Sequence, residues 1–362
     1  LKKKLPNSLN NKFFAETLIR WYTHQHRDLP WRQTRNPYYI WLSEIILQQT
    51  RVAQGLPYYD RFVSTYPTIT DLANAPEQEV IRLWQGLGYY SRARNLHQTA
   101  KHIAYQLNGV FPSTYNELLK LKGIGPYTAA AIASFAFDEA VAVVDGNVYR
   151  VLARVFGVDL DIASTQGQKR FAQLAAELIS TQQPALYNQA IMEFGAVHCT
   201  PTSPDCLLCP FQGVCEANLT GRVTQLPVKL KKTKVRVRHF HYFILMKDGQ
   251  LAMNLRTERD IWQQLYDFYL VETEHSDETL DSLPLPSFLQ KALSQSVVSQ
   301  PSETITHILT HQRIQARFWQ VALPTDFDLE LPPSLRFFTA SEIDELPKPV
   351  LVSTYWKAQF FE

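Results

Sequence analysis

The chain has 362 residues, 36 basic and 34 acidic, with a formal net charge of +2 and 45% hydrophobic side chains. This balance excludes an intrinsically disordered chain, a disulfide scaffold and a uniformly basic nucleic-acid tail. It is long for one core and favours two domains; no apolar run is long enough to span a bilayer and no signal peptide is evident, so an intracellular location is expected.

The first 220 residues read as mostly helical, with periodic apolar stretches and breaks at Gly55-Leu56-Pro57, Gly109 to Pro112 and Gly157. The first polar word is Arg27-Asp28-Leu29-Pro30-Trp31-Arg32. A helical stretch, Ile40 to Val52, follows and carries Glu44 among Trp41, Ile45 and Leu47. Burial there would raise its carboxyl pKa and hold a proton near neutral pH. The word Gly86 to Leu96 holds Arg92 and Arg94, which read either as a phosphate-facing pair or as a solvated helix face.

Residues 114–132 carry the grammar of a helix–hairpin–helix. Thr114 and Glu117 have capping-box spacing, Gly123 and Gly125 supply the hairpin, and Pro126 suits the first turn of a helix with a small face at Ala129, Ala130, Ala131 and Ala133. Amides at such a helix start form an anion site suited to phosphate. Asp145 ends the apolar run Val141 to Val144 and precedes Val148, Val151, Leu152 and Val155, so it reads as an N-cap whose carboxylate the helix start keeps ionised.

All four cysteines lie at Cys199, Cys206, Cys209 and Cys215, with the spacing C-x6-C-x2-C-x5-C. Two disulfides, one zinc or an iron–sulfur cluster are open readings of this spacing. Residues 221–240 hold seven basic and no acidic residues, including Lys229, Lys231, Lys232, Lys234, Arg236 and Arg238. They read as a solvated linker or a phosphate-following run. From Val235 onward the pattern changes to strands, with Phe268 to Val271 and Phe318 to Val321 as further examples. The expected domains are residues 1–220, a basic linker at 221–234, and an α+β domain at 235–362.

The words Arg27 to Arg32, Ile40 to Val52, Gly86 to Leu96 and Val144 to Val148, the hairpin and the cysteine loop together resemble one family. It is the iron–sulfur DNA glycosylases of the endonuclease III superfamily, and within it the adenine DNA glycosylases. The resemblance implies a multi-domain fold: a mainly α helix-hairpin-helix glycosylase domain with a [4Fe-4S] loop, plus an α+β nudix-like C-terminal domain. It implies a monomer acting on double-stranded DNA, excising adenine mispaired with 8-oxoguanine or guanine, with Cys199, Cys206, Cys209 and Cys215 holding a [4Fe-4S] cluster.

It also implies roles. Glu44 protonates the base and Asp145 stabilises the sugar cation, with Asn147 in support. Tyr127 stands where lyase relatives carry a Schiff-base lysine, which implies a monofunctional glycosylase in which Tyr127 contacts the sugar or Asp145, while Lys120 and Lys122 point to phosphate. Arg27, Trp31 and Arg32 form a positive, aromatic wall for the flipped adenine, with Leu47 and Gln189. Gln49, Thr50, Tyr89, Gly123 and Gly125 are implied DNA contacts. Leu309, Thr310 and His311 match a Phe-Ser-His lesion-reading word, with Leu309 and Thr310 departing from it. The acid-rich metal-binding word of nudix hydrolases does not follow Ile261 to Phe268, so no pyrophosphatase activity is expected. The alternatives are an endonuclease III-like lyase for oxidised pyrimidines and a zinc-containing DNA-binding protein.

Overall fold

The structure, a computed structural model, describes residues 11–230, 235–275, 279–327 and 330–360. Lys231, Lys232 and Lys234 of the basic run lie outside the described residues. The chain divides into two compact units, residues 1–74 with 95–231, and residues 75–94 with 232–362.

The first half of the chain is helical: α1 (Asn11–Gln25), α2 (Pro37–Ile46), α3 (Val52–Thr65), α4 (Ile69–Asn74), α5 (Glu77–Leu83) and α6 (Ser91–Gln106). There follow α7 (Tyr115–Leu118), α8 (Pro126–Phe137), α9 (Gly146–Phe156), α10 (Thr165–Leu178), α11 (Pro184–Glu193) and α12 (Glu216–Leu219). Local chemistry sets their ends. Asn36 caps α2 by accepting from Tyr38 N, with Pro37 in the first turn. Thr114 caps α7 through Glu117 N, Asp145 caps α9 through Val148 N, and Ser164 caps α10 through Gly167 N. Gly157 closes α9 in the left-handed region at φ 65°.

The expected break at Gly55-Leu56-Pro57 is absent: α3 runs through it from Val52 to Thr65. Proline forfeits one bond, to the carbonyl four residues back. Here that residue is Ala53, which is exposed, so solvent can take the bond's place.

The core of the helical unit gathers Phe14, Leu18, Val151, Leu152, Phe171, Leu174, Phe194 and Phe211, all at most 1% exposed. Helix α8 packs closely because Ala129, Ala130, Ala131 and Ala133 are small, and all four are buried.

The second unit is built on a mixed eight-stranded sheet in the order β3-β2-β1-β7-β5, with β4 also pairing β1, β6 pairing β7 and β8 pairing β2. Its strands are β1 (Arg236–Lys247), β2 (Gln250–Leu255), β3 (Tyr266–Asp267), β4 (Tyr269–Thr273), β5 (Val297–Val298), β6 (Ile305–Ile308), β7 (Gln312–Ala322) and β8 (Leu335–Phe338). Three helices join them: α13 (Ser287–Ser294), α14 (Ala340–Glu345) and α15 (Val350–Phe360). β1 and β7 run parallel, from Arg236 opposite Gln312 to Met246 opposite Ala322. From Phe240 to Leu245 every residue of β1 is buried, so the alternation read from the sequence gives way to burial on both faces. One face packs Phe243, Leu245, Trp319 and Val321 against α13; on the other, Tyr242 stacks on Phe318, which stacks on Tyr355 of α15.

Gly123 shows how tight the hairpin is. Its φ is +76°, and an added Cβ would stand 2.7 Å from Asn95 Cβ. Gly123→Ala should therefore destabilise the fold by about 1–3 kcal/mol, through left-handed strain and overpacking. Urea unfolding measures it; an unchanged midpoint would contradict the geometry.

Candidate active site and cysteine hollow

Helices α2, α8, α9 and α11 of the helical unit enclose a cavity of about 630 Å3. Glu44 enters it from α2 and is only 5% exposed. Tyr127, in the first turn of α8, donates its hydroxyl to Glu44 Oε2 at 2.5 Å. Burial pushes the Glu44 carboxyl up to about 7, against the opposing pull of the Tyr127 hydrogen bond, and the neighbouring Asp145 raises it further. Tyr127 is itself raised well above its ordinary value by burial and by the two acids, so it remains a donor at neutral pH. The sequence reading put Tyr127 against the sugar or Asp145; its partner in the fold is Glu44.

Asp145 caps α9. Its Oδ1 accepts from Val148 N at 2.7 Å and its Oδ2 from Asn147 Nδ2 at 2.7 Å. The helix start was expected to hold this carboxylate well ionised. Instead burial outweighs those bonds and the nearby Arg150, and the pKa is raised from its ordinary value. Arg150 completes the support: its guanidinium donates to Asn147 Oδ1 at 2.8 Å, to Gly195 O at 2.6 Å and to Cys199 O at 2.7 Å. Gly195 lies in a π-helical turn, Phe194–His198, that extends α11. A Cβ there would sit 2.8 Å from Asn147 O, so only glycine lets the two segments approach. Buried Asn188 fixes the approach to Asp145 by accepting from Val143 N and donating to Val141 O and Ser134 Oγ.

Arg27, Trp31, Arg32, Leu47 and Gln189 all line this same cavity, as does Thr50. The expected positive wall is partly compensated, because both arginines share one buried acid. Glu193, fully buried at the end of α11, accepts from Arg27 Nε at 2.8 Å and from Arg32 at 2.6 Å. Burial alone would raise its pKa, but the two guanidinium partners hold it at about 2. Glu193 was not singled out from the sequence; two arginines in a largely apolar pocket are the signal for such an acid. Gln189 Oε1 accepts from Tyr22 OH at 3.0 Å, which fixes the amide. Trp31 packs edge-on against Tyr59.

The remaining candidates fall elsewhere. Gln49 follows α2 with φ +56°, and Gly123 and Gly125 lie between α7 and α8, Gly125 as the N-cap of α8. Lys122 reaches Gln98 Oε1. Tyr89, Leu309, Thr310 and His311 form their own group in the second unit, around a hollow of about 400 Å3 that also takes in Trp262 and Arg94. Tyr89 OH donates to Thr310 Oγ1 at 2.5 Å. Arg92 and Arg94 are half-buried and bonded within the second unit. Arg94 donates to Gln263 O at 2.7 Å; Arg92 lies over Trp84, bonds the carbonyls of Leu87 and Gly88, and is lowered to about 10 by burial.

All four cysteines are free thiols and line one small hollow beside Arg154 and His198. Burial, with the other thiols close by, raises Cys206 and Cys215 and pushes Cys209 up to about 12. Among the described residues no three His, Cys, Asp or Glu already stand as a metal-binding group. The donor set still fits a cationic centre: four converging thiols become thiolates together only beside a compensating positive charge. Arg154 donates to Cys199 Sγ at 3.4 Å, and Phe211 N to Cys209 Sγ at 3.4 Å.

With this geometry in hand, comparison with known proteins is informative. Residues 42–177 match the family described as HhH-GPD superfamily base excision DNA repair protein, and residues 241–358 match a NUDIX domain. The chain is 36% identical over 261 residues to the adenine DNA glycosylase of Buchnera aphidicola subsp. Baizongia pistaciae, covering 70% of this chain and 73% of that protein. It is 45% identical over 222 residues to the human adenine DNA glycosylase, covering 59% of this chain and 41% of that longer protein. Among solved structures it resembles a thermostable thymine-DNA glycosylase (TM-score 0.54, 30% identity, 58% of this chain and 97% of that one). It also shares the fold of endonuclease III in a non-covalent DNA complex (TM-score 0.50, 24% identity, 59% and 98%).

Glu44 also sets a pH dependence of stability. Its folded pKa, about 7, lies above the ordinary 4.5. The stability it contributes is thus fully present below pH 4.5 and is lost as pH rises through 7. Glu44→Gln cannot ionise and can still accept from Tyr127. Urea unfolding should find it more stable than the unsubstituted chain at pH 8, by up to about 3 kcal/mol, with the gap closing toward pH 5. An equal gap at both pH values would mean that Glu44 is ionised throughout.

Proposed function

The chain belongs to the adenine DNA glycosylase family, and on that premise we propose that it excises adenine mispaired with 8-oxoguanine or guanine from duplex DNA, as a monomer and without strand cleavage. Base excision by hydrolysis of an N-glycosidic bond is the activity of the family. The observation that carries the finer reading is the pairing of Tyr127 with a buried Glu44, its carboxyl pushed up to about 7, in one cavity with Asp145.

Adenine is a poor leaving group until a ring nitrogen is protonated, and its departure leaves a cation-like sugar. Glu44, with its pKa near 7, supplies the proton and later takes one from the attacking water. Asp145 in its ionised form stabilises the sugar cation; Asn147 and the Val148 amide hold the carboxylate in place. Tyr127 offers no amine, and its hydroxyl is engaged with Glu44, which argues against an endonuclease III-like lyase. Arg27, Trp31, Arg32, Leu47 and Gln189 surround the space left for the flipped base. Gln49, Thr50, Gly123 and Gly125 are assigned to the DNA backbone and the gap left in the stack.

In the second unit, the Tyr89–Thr310 bond and the presence of His311 in the same lining as Trp262 support reading that hollow as the place where the base opposite adenine is recognised. Thr310 retains the hydroxyl of the family word. Cys199, Cys206, Cys209 and Cys215 would hold a [4Fe-4S] cluster, whose contribution is to order the 199–215 loop.

Single-turnover cleavage tests the reading. Duplexes with adenine opposite 8-oxoguanine or guanine should yield abasic sites that break only after alkali, and adenine opposite thymine should not react. The rate should fall as pH rises through about 7, where Glu44 loses its proton. Glu44→Gln should cost about 100- to 10,000-fold. Borohydride trapping of the protein on DNA, or equal rates opposite thymine, would contradict it.

Protein purified without oxygen should carry about four irons per chain. Serine at Cys209 should lower iron content and folding yield together. Stoichiometric zinc and no iron would contradict the cluster assignment.

A further inference from the structure

A second hollow, of about 570 Å3, lies on the helical unit beside the catalytic cavity. Arg32, Phe135 and Gln189 line both, so these three side chains stand between the two spaces. Two of them are anchored: Arg32 by Glu193, and Gln189 by Tyr22. Phe135, 8% exposed, has no polar group and is held by packing alone. The outer rim is exposed and amide-rich, with Thr181, Gln182 and Gln183.

The charges lining this second space are paired. Arg35 forms an exposed ion pair with Asp138, and Arg32 is held by Glu193. Each arginine lining it already has a carboxylate partner, although Arg32 shares Glu193 with Arg27. Amide and hydroxyl groups instead suit a neutral heterocycle that both donates and accepts hydrogen bonds.

Excision creates a need for such a space. The deoxyribose remains joined to the DNA after the bond breaks, and it stands in the route by which the nucleotide came in. A free base leaving by that same route would have to pass the sugar. We infer that the hollow lined by Thr34, Arg35, Gln182, Gln183 and Ala185 is an exit site through which the excised purine base leaves, past Phe135, while the abasic DNA is still bound. This rests on the excision reading above.

The test uses the full chain and a duplex carrying radiolabelled adenine in the mispair. Ala185→Trp narrows the hollow from α11, and Thr34→Phe does so from the segment before α2; both positions are half-buried and outside the catalytic cavity. After one turnover, rapid gel filtration separates free base from the protein–DNA complex. The unsubstituted complex should retain abasic DNA but no label. The variants should form abasic sites within about twofold of the normal rate yet release the label on the order of tenfold more slowly, since base exit then limits the cycle. Normal release from both folded variants would overturn the inference, as would label in the unsubstituted complex that leaves only with the DNA. Failure of the unsubstituted chain to form abasic sites would instead sink the excision reading itself.

Discussion

Two buried carboxyl groups share one cavity, and the site depends on keeping their protonation states apart. Glu44 and Asp145 are both buried and both raised above their ordinary pKa values. A buried pair of acids resists ionising together, because each charge penalises the other. The surroundings break the symmetry. Asp145 accepts from a helix-start amide and from Asn147, and has Arg150 nearby; Glu44 accepts the Tyr127 hydroxyl and has apolar neighbours. The group with the better-solvated anion is Asp145, so the proton belongs on Glu44.

That asymmetry is wired into the fold through α9. Arg150 and Arg154, one turn apart and both buried, face the cysteine segment. Arg150 joins the Asn147 side chain to the carbonyl of Cys199. Arg154 bonds the carbonyls of Thr200, Pro201 and Leu226 and reaches the Cys199 sulfur. The start of α9, where Asp145 sits, is thus tied by Arg150 to the same loop that Arg154 binds from the next turn. Arg150 thereby couples the Asn147 side chain, and through it Asp145, to the backbone of Cys199.

Much of this was legible in the sequence, for physical reasons. Capping residues are local, so Thr114, Pro126, Asp145 and Gly157 mark their helix ends without knowledge of the fold. The apolar company of Glu44 foretold its burial and its raised pKa. What escaped the sequence was long-range pairing. Glu193 is separated from Arg27 by 166 positions and looks like any acid at a helix end. Tyr127 chose Glu44 across 83 positions rather than Asp145. Arg92 and Arg94 carry the composition of a solvated face, but the segment 75–94 packs into the second unit, where Trp84 and Gln263 receive them. Pro57 marks a break by local rules, yet an exposed carbonyl at Ala53 makes its lost bond tolerable.

The proton on Glu44 is read directly by infrared difference spectroscopy. The carbonyl stretch of a protonated carboxyl is resolved from that of a carboxylate, and subtracting the Glu44→Gln spectrum isolates the residue. The account predicts a protonated-carboxyl band at pH 6 that vanishes as pH rises through about 7. A Glu44 carboxylate band already complete at pH 6 would contradict it.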